Sequence, residues 1–405
     1  MKYRLGDLIT IKHGFAFSGE HIVERDNGIV LVAPGNFKIG GGFQEDKCKF
    51  FDGEIPEGYV LRSGDFIVTM TDLSKNIDTL GYSAIVPNTP NRTYLHNQRI
   101  GLITVVNNDC DAGYLYWLMR SREYQKAIAG TSTGSTVHHT SPDKIRAFEF
   151  EAPGIESQKM IASILSAYDD LIENNRKQIK LLEEAAQRLY REWFIDLRFP
   201  GHEDTAIVDG VPEGWKSTSL NEVINFNPKV ILNKERIKQS IPMSALSTTS
   251  MVLDSNEFTE TASISGAKFQ NGDTLLARIT PCLENGKTAF VSGILSDEGA
   301  VGSTEFIVMR SKKLNPYMVY LLARTEDFRE SAIKSMTGSD GRQRVQVDII
   351  KELPYLLPRD DDIRSFEDCV KPLFEQISVK QSQNVCLAEA RDRLLPKLMS
   401  GEIEV

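Results

Sequence analysis

Residues 155–200 read IESQKMIASILSAYDDLIENNRKQIKLLEEAAQRLYREWFIDLRFP, and their spacing decides the architecture. Ile161, Leu165, Tyr168, Ile172, Asn175, Ile179, Leu182, Ala186, Leu189 and Trp193 keep an unbroken 4-3-4-3 rhythm. Residues three and four apart share one helix face, so this is a heptad seam with Asn175 as its polar exception. Phe199-Pro200-Gly201 ends the run, giving a predicted helix over 154–199. A helix of about 40 residues spans about 60 Å, more than one ordinary domain needs. Residues 359–405 carry a second seam: Phe366, Val370, Leu373, Ile377, Leu387, Leu394 and Leu398. Lys380, Asn384 and Arg391 break that stripe, and Pro372 is expected to kink or start the helix.

Working outward, the sequence is written twice, with a shift of about 205 residues. Leu5-Gly6-Asp7-Leu8-Ile9 answers Leu220-Asn221-Glu222-Val223-Ile224, and Ser63-Gly64-Asp65 answers Asn271-Gly272-Asp273. Thr133-Gly134-Ser135 answers Thr337-Gly338-Ser339, Asp143-Lys144-Ile145 answers Asp348-Ile349-Ile350, and Pro153 answers Pro358. Each long helix follows a globular part, residues 1–153 and 200–358, rich in short β-prone runs and turns. Residues 65–70 and 304–309 are such runs, and helical stretches follow around 114–129 and 316–335. The expected fold class is α+β. Two similar globular domains are joined by two long helices that pair as an antiparallel coiled-coil spacer, a pseudo-two-fold internal repeat.

The formal charge of −9 disfavours a solitary polyanion binder. Its distribution is more permissive: residues 1–150 hold 16 Lys and Arg against 17 Asp and Glu, and residues 201–358 hold 17 against 20. A basic face is compatible with both parts. No window approaches the ~18 apolar residues of a membrane span, and Met1 to Asp7 open no secretory signal. Cys48, Cys110, Cys282, Cys369 and Cys386 are scattered without a C-x-x-C pair, which fits a reducing cytoplasm better than a zinc site or disulfide framework.

Catalytic motifs are missing. The glycine-rich run 35–42 lacks the Lys-Ser/Thr of a phosphate loop and reads as a hairpin loop. Asn227-Pro228-Lys229-Val230 lacks the second proline and the aromatic residue of an amino-methyltransferase motif. His138-His139 has no third ligand at a useful spacing. No nuclease-like acidic cluster or helicase motif is present. The reading is a non-catalytic chain with no cofactor and no metal.

Two motif sets carry a resemblance. Ile155-Glu156-Ser157-Gln158-Lys159-Met160-Ile161-Ala162, followed by Leu189-Tyr190-Arg191-Glu192-Trp193-Phe194-Ile195-Asp196-Leu197-Arg198-Phe199-Pro200, resembles the central repeat of Type I restriction enzyme specificity subunits. Pro212-Glu213-Gly214-Trp215-Lys216 resembles the opening of their second recognition domain, and residues 393–403 resemble their C-terminal repeat. The resemblance implies two target-recognition domains, each reading one half of a split site on double-stranded DNA. It implies a helical spacer that docks two modification (methyltransferase) subunits, and through them restriction subunits, with no membrane partner.

Base readout would come from side chains on loops. In the first domain the candidates are Thr71, Lys75, Asn76, Arg92, Asn97, Arg99, Ser135, His138 and His139. In the second they are Arg278, Thr280, Asn285, Lys287, Ser339, Arg342, Gln343 and Arg344, with Arg342-Gln343-Arg344 beside Gly338 and Gly341 the best single patch. Two other readings compete: an adaptor with duplicated protein-binding domains, and a restriction–methyltransferase fusion. Salt-sensitive duplex binding separates the first from DNA recognition, and the missing motifs speak against the second.

Overall fold

The structure is a computed structural model that describes residues 1–45, 48–74, 76–134, 136–339 and 341–405. The chain divides into two compact units: Met1–Leu171 with Cys386–Val405, and Ile172–Val385. The division cuts both long helices, so each unit holds a globular part and a piece of each helix.

In the first unit, β1 (Ile9–His13), β2 (Phe66–Thr69), β3 (Ser83–Ile85) and β4 (Ile100–Val105) form an antiparallel sheet of order β1-β4-β2-β3. Alternate side chains leave opposite faces of a strand. Ile67 therefore enters a core shared with a second, five-stranded sheet, while Val68 enters a core shared with helices. Those helices are α1 (Ala112–Leu118), α2 (Arg122–Gly130) and the long α3 (Ile155–Phe194). Asp111 and Ser121 cap α1 and α2 with their side chains, splitting the single helical stretch read from the sequence. Lys2–Arg4 pairs with Glu149–Glu151, so the globular part starts and finishes on one ladder, and α3 leaves from there.

The second unit repeats this plan. β5 (Ile224–Phe226), β6 (Thr274–Ala277), β7 (Thr288–Phe290) and β8 (Phe306–Ser311) take the order β5-β8-β6-β7. Leu275 and Leu276 divide between two cores as Ile67 and Val68 do. Asn315 and Thr325 cap α4 (Pro316–Ala323) and α5 (Glu326–Lys334). Lys216–Ser219 pairs with Pro354–Leu357 just before the long α6 (Asp360–Ser400).

The seam residues meet within each unit. In the first, Ile161 and Leu165 share a core with Leu395 and Leu398, and Asp169 accepts hydrogen bonds from Arg120 and Arg391. Gln158, fully buried, accepts from the Asp111 amide at 2.9 Å and donates to the Pro153 carbonyl at 2.9 Å, docking the start of α3. In the second, Phe366 contacts Tyr190, Trp193 and Phe194, and Val370 and Ile377 share its core. Asn175 donates to Gln383 at 3.4 Å, so its polar exception has a partner. Ile172, Ile179 and Ala186 are buried, while Tyr168, Leu182, Leu189, Leu373, Leu387 and Leu394 are half-buried.

One expectation about the helices is corrected. Pro372 does not start α6, which begins at Asp360 and continues through it. The proline costs a helical hydrogen bond but is exposed, and buried Val370, Phe374 and Ile377 hold the helix around it. The start is fixed instead by Trp215, whose indole N–H donates to Asp362 at 2.9 Å, and by Arg359 on the same carboxylate. Gly214 is required beside them: its φ is +85°, and a Cβ there would lie 2.8 Å from Arg359 Cδ.

Candidate nucleic-acid interface

At the end of β2 in the first unit, the chain continues through Met70 into Thr71–Asp72, which pairs with His138–His139. Three segments meet here. The Met70 amide donates to the Arg99 carbonyl at 2.9 Å, and the Thr140 amide donates to the Met70 carbonyl at 3.0 Å. Thr133 and His139 exchange two backbone hydrogen bonds, closing a hairpin whose tip holds Gly134 at a φ of +107°. Thr71, Asn97, Arg99, His138 and His139 are thereby brought together.

Asp72, which sequence reasoning missed, organises the neighbouring loop. It is 1% exposed and accepts from the Ser74, Thr79 and Leu80 amides and the Thr79 hydroxyl. Burial alone would raise its pKa, but those donors outweigh burial and hold it below the ordinary aspartate value. The loop carries Asn76, which is exposed. Lys75 and Ser135 lie outside the described residues.

The second unit builds the same face with other side chains. The Arg278 amide donates to the Glu305 carbonyl at 3.0 Å, and the Val345 amide to the Arg278 carbonyl at 2.9 Å. Thr337 and Arg344 exchange two hydrogen bonds beneath a hairpin tip with Gly338 at a φ of +134°. Even the supporting turns agree: Asn97 Oδ1 accepts from the Arg99 amide, and Ser303 Oγ from the Glu305 amide. Arg278, Thr280, Gln343 and Arg344 converge, with Ser339 and Arg342 exposed on the hairpin. Asn285 is exposed on the turn after Pro281. Several buried polar atoms on these two faces have no hydrogen-bond partner within the protein: His138 Nδ1 and Thr140 Oγ1 in the first, Arg278 Nε and Thr280 Oγ1 in the second. Such atoms are costly unless something binds them.

Four candidates are not the free groups that the sequence suggested. Arg92 forks onto Asp26 at 2.7 Å through both terminal nitrogens, away from the Thr71 face. Lys287 donates to the Met243 carbonyl at 2.8 Å. Thr71 is 3% exposed, and its hydroxyl lies 3.1 Å from His139 Nδ1. Arg344 is clasped by Glu305, a residue hidden in the sequence inside an apolar β-run. The carboxylates concerned lie 66 and 39 residues from their arginines, so no local pattern betrayed them.

Among the described residues, no group of His, Cys, Asp or Glu is arranged to hold a metal, and no helix is long and apolar enough to cross a membrane. Two α+β units present matched polar faces at the same topological position. The model of the Type I restriction modification DNA specificity domain family matches residues 1–184. It is 28% identical over 303 residues to the Type I restriction enzyme MjaIX specificity subunit of Methanocaldococcus jannaschii, covering 72% of this chain and 69% of that protein. A 156-residue stretch, 36% of the chain, is 34% identical to 26% of the Escherichia coli EcoAI specificity subunit. The fold is similar to the crystal structure of the S subunit of a type I restriction-modification system from M. genitalium, with a TM-score of 0.54 at 15% identity over 98% of this chain and 96% of that one.

Proposed function

We propose that each unit of this specificity subunit reads one half of a split duplex DNA site through the face described above. The assigned parts are recognition domains at 1–153 and 200–358 and spacer helices at 154–199 and 359–405. The two long helices act as an antiparallel coiled-coil spacer that relates the domains by a pseudo-two-fold axis, matching the symmetry of duplex DNA. They dock two modification subunits, which carry the methyltransferase chemistry, and restriction subunits join through them. The complex works in the cytoplasm.

One observation carries this reading. The same backbone hydrogen bonds recur on both faces while the side chains differ: His139 against Arg344, Arg99 against Glu305, Asp72 against Thr280. A constant frame with variable side chains suits two readers of different sequences. The arrangement has no counterpart in an adaptor that binds the same partner twice.

The test is methylation mapping in cells that make the chain with its modification subunit. Replacing residues 133–140 by 337–345 should change the first half of the methylated site and leave the second intact. An unchanged site would refute the assignment.

A further inference from the structure

We propose that Arg344, held side-on by Glu305, is a preorganised reader of one guanine in the half-site of the second unit, with Glu305 as its positioning residue. This rests on the two-half reading and specifies the base and the atoms that recognise it.

A guanidinium has five N–H donors in one plane. Glu305 takes those along one side: Arg344 Nε lies 3.0 Å from Oε2, and Nη2 lies 2.7 Å from Oε1. That leaves the terminal edge, where one hydrogen of Nη1 and the second of Nη2 project in parallel. The Arg344 side chain is 44% exposed, against 23% for Glu305, so the arginine is the more accessible partner. Guanine offers two acceptors, O6 and N7, in the major groove, and a parallel pair of N–H groups matches them.

The base of this device is firm. Arg344 is bonded through its backbone to Thr337 on one side and bridges Ile279 on the other. Glu305 is fixed by the Ser303 hydroxyl at its amide and by the Arg278 amide at its carbonyl. Arg342, by contrast, sits on the exposed hairpin between Gly341 and Gln343. A side chain already held in one orientation loses less freedom when it binds.

Charge argues for a base edge over the backbone. Arg278 Nε stands 3.9 Å from the same Glu305 carboxylate, so that both arginines lean on it. A phosphate docked on Arg344 would come close to the Glu305 carboxylate and be repelled; the neutral guanine edge would not. Arg344 holds Glu305 below the ordinary glutamate range, which keeps the carboxylate ionised at neutral pH.

The experiment uses the full chain with its modification subunits, and a duplex library randomised across both halves of the site. Arg344→Lys should lose about 5- to 150-fold discrimination at one G·C pair in the second half. Glu305→Gln, which keeps its shape and an acceptor but loses its charge, should relax the same position by a smaller factor. The first half should be read normally by both variants, which also serves as the control for folding. Uniform weakening of all sequences with a shallower salt dependence would make Arg344 a phosphate contact and overturn the proposal. Relaxation at a position that is not guanine would overturn it too. A wild-type complex with no base preference in the second half would overturn the two-half reading, and this proposal with it.

Discussion

Asp169 in α3 and Phe374 in α6 stand at the same place in the two units, and around them the units are held together by opposite means. In the first, Asp169 lies between Arg120, whose side chain is 3% exposed, and Arg391. Beside it runs a groove of about 490 Å³ bordered by Ile85, Gly113, Tyr116 and Trp117. In the second, the counterparts of Ile85 and Gly113 are Phe290 and Tyr317, which pack against Phe374 edge-on and tilted, with ring centroids 5.0 and 4.7 Å apart. The strand pairings support the match, since Phe66 opposes Ile85 as Thr274 opposes Phe290. Duplication kept the backbone frame and let the filling between sheet and helix diverge from charge to aromatic packing.

The largest effect should come from the charged version. Asp169→Ala leaves the buried Arg120 without its carboxylate, while Arg391 keeps Asp392 at 2.7 Å, and should cost about 4 kcal/mol. Phe374→Ala empties part of an aromatic cluster and should cost about 3 kcal/mol. Hydrogen exchange on the full chain locates each loss: in the first unit for Asp169→Ala, in the second for Phe374→Ala. Loosening of both units by either substitution would break the comparison.

A smaller effect concerns how each unit ties down a loop near its α1–α2 or α4–α5 junction. In the first, Arg120 Nε donates to the Gly40 carbonyl at 3.0 Å. In the second, Glu183 accepts from the Ser250 hydroxyl at 2.6 Å and the Met251 amide at 2.9 Å. Heptad spacing predicts a solvated Glu183 like Lys177, so this contact corrects the sequence reading. Burial raises its pKa above the ordinary glutamate value, ahead of the lowering by those donors. Glu183→Ala should destabilise the second unit by about 1–2 kcal/mol in denaturant titration, and Lys177→Ala by less than about 0.5 kcal/mol. Equal losses would place Glu183 back in solvent.

The smallest effect is one of pH. His96 is 1% exposed, its Nε2 lies 2.9 Å from the Ile100 carbonyl, and burial lowers its pKa. The unfolded chain thus binds this proton more readily. Its contribution is present above the usual histidine value of about 6.5 and is lost as pH falls below it. The second unit has Gly302 at the matching strand end. Taking the protein from pH 7 to 5.5 should weaken protection in the first unit selectively, and His96→Gln should abolish the selectivity. A decline shared by both units would assign the acid sensitivity to other groups.

The comparison also explains what the sequence could say. Ser63-Gly64-Asp65 and Asn271-Gly272-Asp273 matched because both build one turn: each glycine has a φ of +88°, and each aspartate accepts an amide three residues back. The seam was legible because helical periodicity is local, and Ile161, Ile172, Ile179, Phe366 and Ile377 are buried as that period demands. The site was legible only as a set of loops. Whether an arginine is free depends on a carboxylate brought up by the fold, as at Arg92 with Asp26 and Arg344 with Glu305. Asp72 was invisible because an aspartate in a polar loop looks the same whether it faces water or holds four donors.

The short ladders that close each globular part have a further consequence. Residues 2–4 lie against 149–151, and residues 216–219 against 354–357, so the start of each long helix is set by a clamp. Between the two sides of a clamp, the loops can lengthen, shorten or change sequence without shifting that starting point. The loops and the helix starts are thus mechanically uncoupled, and drift in the one leaves the other untouched.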